Sequence, residues 1–348
     1  MAMRAAVIDP FGAARDRDLP TLSLALDPTS VRKELSQLPR LVGARGHVEL
    51  NMIQVTRHKP GRRCVVEYDV VAERAGGPPQ ALTLIGIVRA RRHGKTDYRR
   101  LNAVWKAGFQ SDSPDGVSVP EPLGVVPRYR MWFQRKVPGE ICATELLKLD
   151  GAPLAARMAE AVHKLHRANV STDRHHRMED ELRILRDHVP LAARAKPEWS
   201  GRLARLLSAC DALGSSLPEA ETCGIHRDFY PAQVIVDRPL DRPRVWLLDF
   251  DLYCRGDPAL DIGNFIGHIT EQSLRTFGNV RALEDREQAM ENRFVEFAGE
   301  SRREAVRAYA TLTLVRHIYL SSRFPERVRL TEQLIELCEG RLRLEQGS

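Results

Sequence analysis

The feature that most restricts the fold is a change in apolar spacing near residue 138. Before it, apolar residues fall in short runs punctuated by Gly and Pro; after it, they recur every three or four residues. Met52 to His58, Arg63 to Ala72, Ala81 to Ala90 and Tyr129 to Val137 read as strands, and Lys59-Pro60-Gly61-Arg62 as a turn with a basic tip. Residues 75–80 read as a loop, and Val117 to Val126 as Pro-punctuated extended chain. Thr96 to Gly108 has helical spacing through Tyr98, Leu101, Val104 and Trp105. Upstream, Pro28-Thr29-Ser30 followed by Val31, Leu35 and Leu38 suggests a short capped helix. Beyond the change, Ala152 to Ala168, Met178 to Val189, Trp199 to Leu213, Arg302 to Ser322 and Arg329 to Leu344 read as helices, and the chain is helical from Ala259 on. One hairpin interrupts them, Val234 to Val236 and Val245 to Phe250 around the turn-rich stretch 237–243. The expectation is an α+β fold of two lobes, with residues 1–134 β-rich and residues 135–348 mainly helical.

Composition excludes several classes. With 43% hydrophobic and 28% charged residues the chain is not of disordered, collagen or coiled-coil type. Six Cys, at 64, 142, 210, 223, 254 and 338, lie scattered without a C-x-x-C pair, which argues against a disulfide framework or zinc cluster and for a reducing cytoplasm. Apolar runs such as Ala81 to Val88 are strand-sized, and no secretory signal is read at the N-terminus, so no membrane partner is expected. The net charge of +7 is dispersed, and 6% aromatic content offers few stacking platforms, so nucleic acid is not expected as a partner. His163, His166, His175 and His176 lack the Glu of a zinc-protease helix, and Ser215-Ser216 lacks a nucleophile elbow.

The chemistry concentrates in Gly224-Ile-His-Arg-Asp-Phe-Tyr-Pro-Ala-Gln-Val-Ile-Val236 and Val245-Trp-Leu-Leu-Asp-Phe-Asp251. His226 and Asp228 form an H-x-D pair, Gln233 follows Asp228 by five residues, and Asp249 ends an apolar strand. An H-x-D pair alone is a common surface turn; the ordered Gln, strand and second Asp make it informative. Phosphoryl transfer needs this layout: one carboxylate for the attacking hydroxyl, and a second carboxylate with an amide oxygen to hold Mg²⁺ against the phosphates.

These segments resemble the aminoglycoside phosphotransferase and choline kinase group, which has the protein-kinase-like fold. Gly256-Asp-Pro-Ala-Leu-Asp-Ile-Gly-Asn-Phe265 resembles the stretch after that family's metal-binding Asp; Ala159 to Leu165 then His166 resembles the helix before its catalytic loop; Met131 to Gly139 resembles its interlobe linker. The resemblance implies an N-terminal nucleotide-binding lobe, ATP or another NTP, and Mg²⁺. It implies Asp228 as catalytic base, Gln233 and Asp249 as metal ligands, Asp251 near a second metal, and His226 and Asp261 as structural supports. Adenine is expected near Gln134, Lys136 and Val137, in the cleft where a nucleotide commonly sits between two such lobes. Asp257 and Asp261 also suit helix capping.

Two departures matter. Gln stands at 233 where the family pattern has Asn, keeping the amide oxygen at one methylene more. Ile87 stands where the third strand should carry a phosphate-binding Lys, and residues 81–90 contain no Lys. Arg89 shares the face of Ile87 and is the expected substitute, with Asp97 as its acidic partner; Arg63, beside Arg62 at the first hairpin tip, is a further phosphate contact, and Lys95 lies farther along. The leading expectation is an ATP-dependent phosphotransferase acting on a hydroxyl of a small molecule such as a sugar, amino alcohol, aminoglycoside or natural product. A peptide Ser/Thr kinase of the same fold and a nucleotide-binding pseudokinase, for which Ile87 speaks, are the alternatives.

Overall fold

The computed structural model describes residues 5–43, 46–74, 77–90, 94–238 and 243–344, and divides into the units Met1–Pro138 and Gly139–Ser348. Parts of the expected loop over 75–80, the turn over 237–243 and His93 lie outside the described residues.

The first unit holds β1 (Ala6–Ile8), the short helices α1 (Leu22–Ala25), α2 (Pro28–Leu35) and α3 (Pro39–Val42), then β2 (His47–Lys59), β3 (Arg63–Glu73), β4 (Gln80–Arg89), α4 (Gly94–Lys106), β5 (Val117–Ser118), β6 (Pro122–Val126) and β7 (Met131–Arg135). Six strands form one sheet in the order β1-β2-β3-β4-β7-β6, with β1 parallel to β2 and the other pairs antiparallel. Strand β2 begins five residues before the expected Met52. Register shifts between Leu50 and Met52 and between Val55 and Arg57 interrupt its alternation, so the inward residues run Val48, Leu50, Ile53, Val55 and period two is lost to inspection. Strand β7 is shorter than the expected 129–137, because Pro127–Tyr129 forms a 3₁₀ turn and Arg130 takes a left-handed backbone.

One face of this sheet, with Cys64, Val66, Tyr68, Val70, Leu84, Val88 and Phe133, is buried under the N-terminal segment through Ala13, Leu22, Ala25, Val31 and Leu35. The Tyr68 hydroxyl donates to the Ala25 carbonyl at 3.0 Å, and Asp27 caps α2 by accepting from the Ser30 N–H. Side chains alternate across a strand, so the opposite face carries Arg63, Val65, Glu67 and Asp69 on β3 with Ile85, Ile87 and Arg89 on β4, all half-buried.

The second unit holds β8 (Glu140–Ile141), α5 (Cys142–Glu145), α6 (Gly151–Arg167), α7 (Met178–Ala195), α8 (Ser200–Ser216), β9 (Cys223–Ile225), β10 (Val234–Asp237), β11 (Arg244–Leu247), β12 (Cys254–Gly256), α9 (Pro258–Phe277), α10 (Glu284–Ala298), α11 (Arg303–Ser322) and α12 (Val328–Arg341). Strand β10 pairs antiparallel with β11 and β8, and β9 with β12. Helix α7 continues past the expected end at Val189, through Pro190; its last turns bury Ala192, which compensates the missing hydrogen bond. Strand β11 stops at Leu247 instead of Phe250, because Asp249 adopts a left-handed conformation (φ 56°, ψ 71°) that ends pairing. No helix among the described residues is long and apolar enough to cross a membrane, and the six Cys are free thiols.

Helices α9 and α11 form the core of this unit, and they meet through glycine. A Cβ at Gly263 would lie 2.5 Å from the Tyr309 Cβ and 2.6 Å from the Val306 carbonyl oxygen. One turn on, a Cβ at Gly267 would lie 2.7 Å from the Thr313 Cγ2. Backbone cannot move aside as a side-chain tip can, so Gly263→Ala should cost about 1–3 kcal/mol in urea unfolding. Gly340→Ala, at an exposed helical position with open space around it, should instead stabilise by roughly 0.5–1 kcal/mol.

On α10, burial raises the Glu287 carboxyl to about 7, against a hydrogen bond from Thr270 Oγ1 at 2.8 Å and the Arg341 cation, which act to lower it. The folded chain therefore holds this proton up to about pH 7, whereas the unfolded chain releases it near the ordinary carboxyl value of 4.5. The linked stability is complete below that lower value and is lost as pH rises through the higher one. Glu287→Gln should gain on the wild type progressively across this interval, by roughly 3 kcal/mol at the upper end, and hold that advantage at higher pH in urea titrations.

Candidate active site

The loop after β9 is fixed by a single carboxylate. Asp261, in the first turn of α9, is fully buried. Its Oδ2 accepts the His226 N–H at 2.8 Å and its Oδ1 the Arg227 N–H at 2.7 Å; His166 Nε2, at the end of α6, donates to Oδ2 at 2.9 Å. Arg227 has a positive φ of 68°, a strained conformation for a non-glycine residue that the bond to Asp261 holds in place. His226, itself fully buried, donates from Nε2 to the Leu248 carbonyl at 2.8 Å, and so ties the loop to the segment preceding Asp249. Farther along the loop, Asn264 Nδ2 donates to the Phe229 carbonyl at 2.8 Å.

Asp228 stands between these anchors, half-buried, and its Oδ2 accepts from Gln233 Nε2 at 3.3 Å. The Gln233 carbonyl accepts the Leu248 N–H at 2.9 Å, closing the hairpin end to which Asp249 belongs. Asp249 sits in its left-handed turn, and Asp251 in the 3₁₀ turn that follows, where its carbonyl accepts from Arg174 at 2.6 Å. Asp257 caps α9 by accepting the Ala259 N–H at 2.9 Å and is paired with Arg302. Among the described residues no three His, Cys, Asp or Glu side chains converge as a metal cage. The donors offered by Asp249 and the Gln233 amide are hard oxygens and too few to enclose an ion, which fits Mg²⁺, an ion commonly held by one or two carboxylates together with phosphates and water.

In the first unit, Arg89 and Arg63 are direct cross-strand partners, and Lys59 is the partner of Arg63 on its other side. Three cations thus lie in register across β2, β3 and β4. Like charges placed opposite repel, and burial together with Arg57, Arg63 and Arg62 pushes the Lys59 ammonium below the usual lysine range. Asp97 on α4, almost fully buried, lies 3.6 Å from Arg89 Nε and 3.9 Å from Arg100, offsetting part of that repulsion. Ile87 is half-buried beside Arg89, opposite Val65 and Trp132. Gln134 pairs with Ile85 and Pro122; Lys136 donates its N–H to the Thr83 carbonyl and its ammonium to Glu67 at 2.7 Å; Val137 is half-buried. The tip between β2 and β3 is held from the N-terminal segment, where Asp16 accepts from the Gly61 N–H at 2.9 Å and from His58 at 2.8 Å. Gly61 turns there with φ 64°.

Sequence reading missed Asn264, which belongs to the motif Asp257-Pro-Ala-Leu-Asp-Ile-Gly-Asn264 but gives no sign that its amide reaches a carbonyl of another loop. It also missed Asp16 and His58, which are separated along the chain and carry no motif.

The sequence profile of the phosphotransferase enzyme family matches residues 91–293, more than half of the chain. Among solved structures, a protein from Ralstonia eutropha JMP134 named as an aminoglycoside phosphotransferase is 12% identical with a TM-score of 0.60, over 92% of this chain and 99% of that one. A choline/ethanolamine kinase family protein from Mesorhizobium loti is 15% identical with a TM-score of 0.52, over 90% and 94%. The streptomycin–ATP ternary complex of APH(2″)-IIa is 12% identical with a TM-score of 0.50, over 83% and 93%. No curated protein matches the sequence. At such identities the likeness shows the fold, a kinase-like α+β fold, while the profile shows the family. The chain belongs to the phosphotransferase enzyme family and is a phosphotransferase.

Proposed function

We propose that this phosphotransferase moves the γ-phosphoryl group of ATP to a hydroxyl of a small molecule, with Asp228 meeting the hydroxyl. The observation that carries this reading is the Asp228–Gln233 contact on a loop pinned by Asp261, with Asp249 turned out of its strand at the end of the same hairpin. The acceptor oxygen bonds to the γ-phosphorus, the bond from that phosphorus to the β,γ-bridging oxygen breaks, ADP leaves with the electron pair, and Asp228 accepts the hydroxyl proton. Asp249 and the Gln233 amide oxygen would hold Mg²⁺, and Asp251 would contact a second metal. When bound, the ion supplies charge neutralisation at the phosphates. His226 keeps Asp228 and Asp249 on one rigid frame by bonding the Leu248 carbonyl. Backbone groups of Gln134 to Val137 receive the adenine. The complex of a structural neighbour with ATP and streptomycin agrees with nucleotide use and a small-molecule acceptor.

Arg89, braced by Asp97 and partnered by Arg63, takes the phosphate-holding role that a strand lysine at 87 would fill. Two planar guanidinium forks can grip adjacent phosphate oxygens where one ammonium would act as a point charge. A braced cation on this face also favours a working site over a nucleotide-binding pseudokinase.

The melting temperature with and without Mg²⁺ and ATP tests the reading. A nucleotide at 100 times its dissociation constant stabilises by about 2.7 kcal/mol, a shift of several degrees. The shift should require Mg²⁺ and vanish in Asp249→Ala; no shift with any nucleotide refutes the assignment. A Mg²⁺-dependent shift without phosphoryl transfer to any acceptor or to water would instead support the pseudokinase. Arg89→Ala should lower kcat/KM for ATP by about 10²–10³-fold, and Ile87→Lys added to it should restore part of the loss. An Arg89→Ala enzyme with unchanged kcat/KM removes Arg89 from the phosphate site.

A further inference from the structure

The exit side of the catalytic loop is held by the Asn264 amide on the Phe229 carbonyl, and that amide is itself held by a chain of buried polar groups. Asn264, 2% exposed, lies on α9 one turn beyond Asp261. Its Nδ2 donates to the Phe229 carbonyl at 2.8 Å. Its Oδ1 faces α11, where it accepts from Arg316 Nη2 at 2.5 Å and from Thr313 Oγ1 at 3.4 Å. Arg316 reaches on to α7, its Nη1 lying 3.4 Å from Glu181 Oε2. Glu181, also buried, accepts from His176 Nε2 on its other oxygen at 2.6 Å, and the His176 N–H is donated to the Arg255 carbonyl of β12 at 2.9 Å. Arg255 is the register partner of Gly224 on β9, the strand that leads into the loop.

An amide side chain has a donor end and an acceptor end of nearly equal shape. Packing alone therefore does not set which end Asn264 turns to Phe229, and the wrong end would place one carbonyl oxygen against another. The group on the α11 side decides it. A guanidinium carries donors only, so it pairs with the Oδ1 end and leaves Nδ2 for the Phe229 carbonyl. Thr313 cannot make that choice, because a hydroxyl both donates and accepts. Glu181 supplies the opposite charge that lets a guanidinium serve among buried groups.

We infer that Arg316 is a positioning residue for phosphoryl transfer: by fixing the polarity of the Asn264 amide it locks the Phe229 carbonyl and, through it, the place of the Asp228 carboxylate. This rests on the proposed role of Asp228 and deepens it. Asp261 holds the loop on the entry side of Asp228, and Arg316 acts through Asn264 on the exit side. With the exit side loose, Asp228 keeps its chemistry but loses its place, and a displacement of about 1 Å can cost on the order of 10² in rate. The proposed ATP contacts involve neither Arg316 nor Asn264, so the loss falls on kcat and spares the KM for ATP.

The test uses the full chain with Mg²⁺ and ATP, water serving as acceptor and ADP release as the signal. Arg316→Met should lower kcat by about 10–10²-fold with the KM for ATP kept within about twofold. Arg316→Lys, which keeps a cation that only donates, should recover part of the loss. Arg316→Met strands the Glu181 charge, so the double variant Glu181→Gln/Arg316→Met provides a second protein without it, which should be as slow as the single one. Leu206→Ala, at a fully buried position of α8, should lower the melting temperature with kcat unchanged, separating lost stability from lost positioning. Hydrogen exchange reads the loop without turnover: the amides of residues 228–233 should exchange about tenfold faster in both Arg316→Met proteins, with those of α10 unchanged. Wild-type kcat in either of these proteins, an Arg316→Lys enzyme no faster than Arg316→Met, or loop exchange at the wild-type rate overturns the inference. A wild type that neither releases ADP nor gains melting temperature with Mg²⁺ and nucleotide refutes the kinase reading instead, and the exchange comparison still decides whether Arg316 locks the loop.

Discussion

The geometry of the second unit depends on the Asp261 carboxylate. Its two oxygens take two consecutive backbone N–H groups and one imidazole, and a buried charge is tolerated in a protein interior only when satisfied in this way. Because the acceptors belong to the first turn of a helix, the loop they hold inherits the rigidity of α9. Asn264 then fixes the next carbonyl one turn along the same helix, so Asp228 lies between two points of attachment on one rigid body. The helix is seated against α11 by backbone contact at Gly263 and Gly267, where any side chain would push the two apart. Packing thus reaches the chemistry through two glycines, one helix and one carboxylate.

The first unit solves a different problem, the sorting of a sheet into an apolar face and a charged one. The N-terminal segment covers the face of Val66, Tyr68 and Phe133, which frees the other to carry charge. There, strand register sets Lys59, Arg63 and Arg89 side by side, an arrangement that costs energy in the absence of an anion. Asp97 of α4 lies against Arg89 on that face and offsets part of that cost.

The sequence by itself determined the α+β class, the main strands and helices and the ordered set His226, Asp228, Gln233, Asp249 and Asp261, because local periodicity and short-range motif spacing are properties of neighbouring residues. It began strand β2 five residues late, where a bulge breaks the alternation, ended α7 at Val189 before Pro190, and carried β11 through a residue whose left-handed turn stops pairing. Only the tertiary structure decided that Arg63 and Arg89 face each other, that Asp97 reaches Arg89, that Asn264 holds Phe229, and that Tyr230, His268 and His317 stack. Each of these depends on register between strands or on the rotation of one helix against another. Those quantities are set by the packing of whole faces, which no single segment of sequence contains.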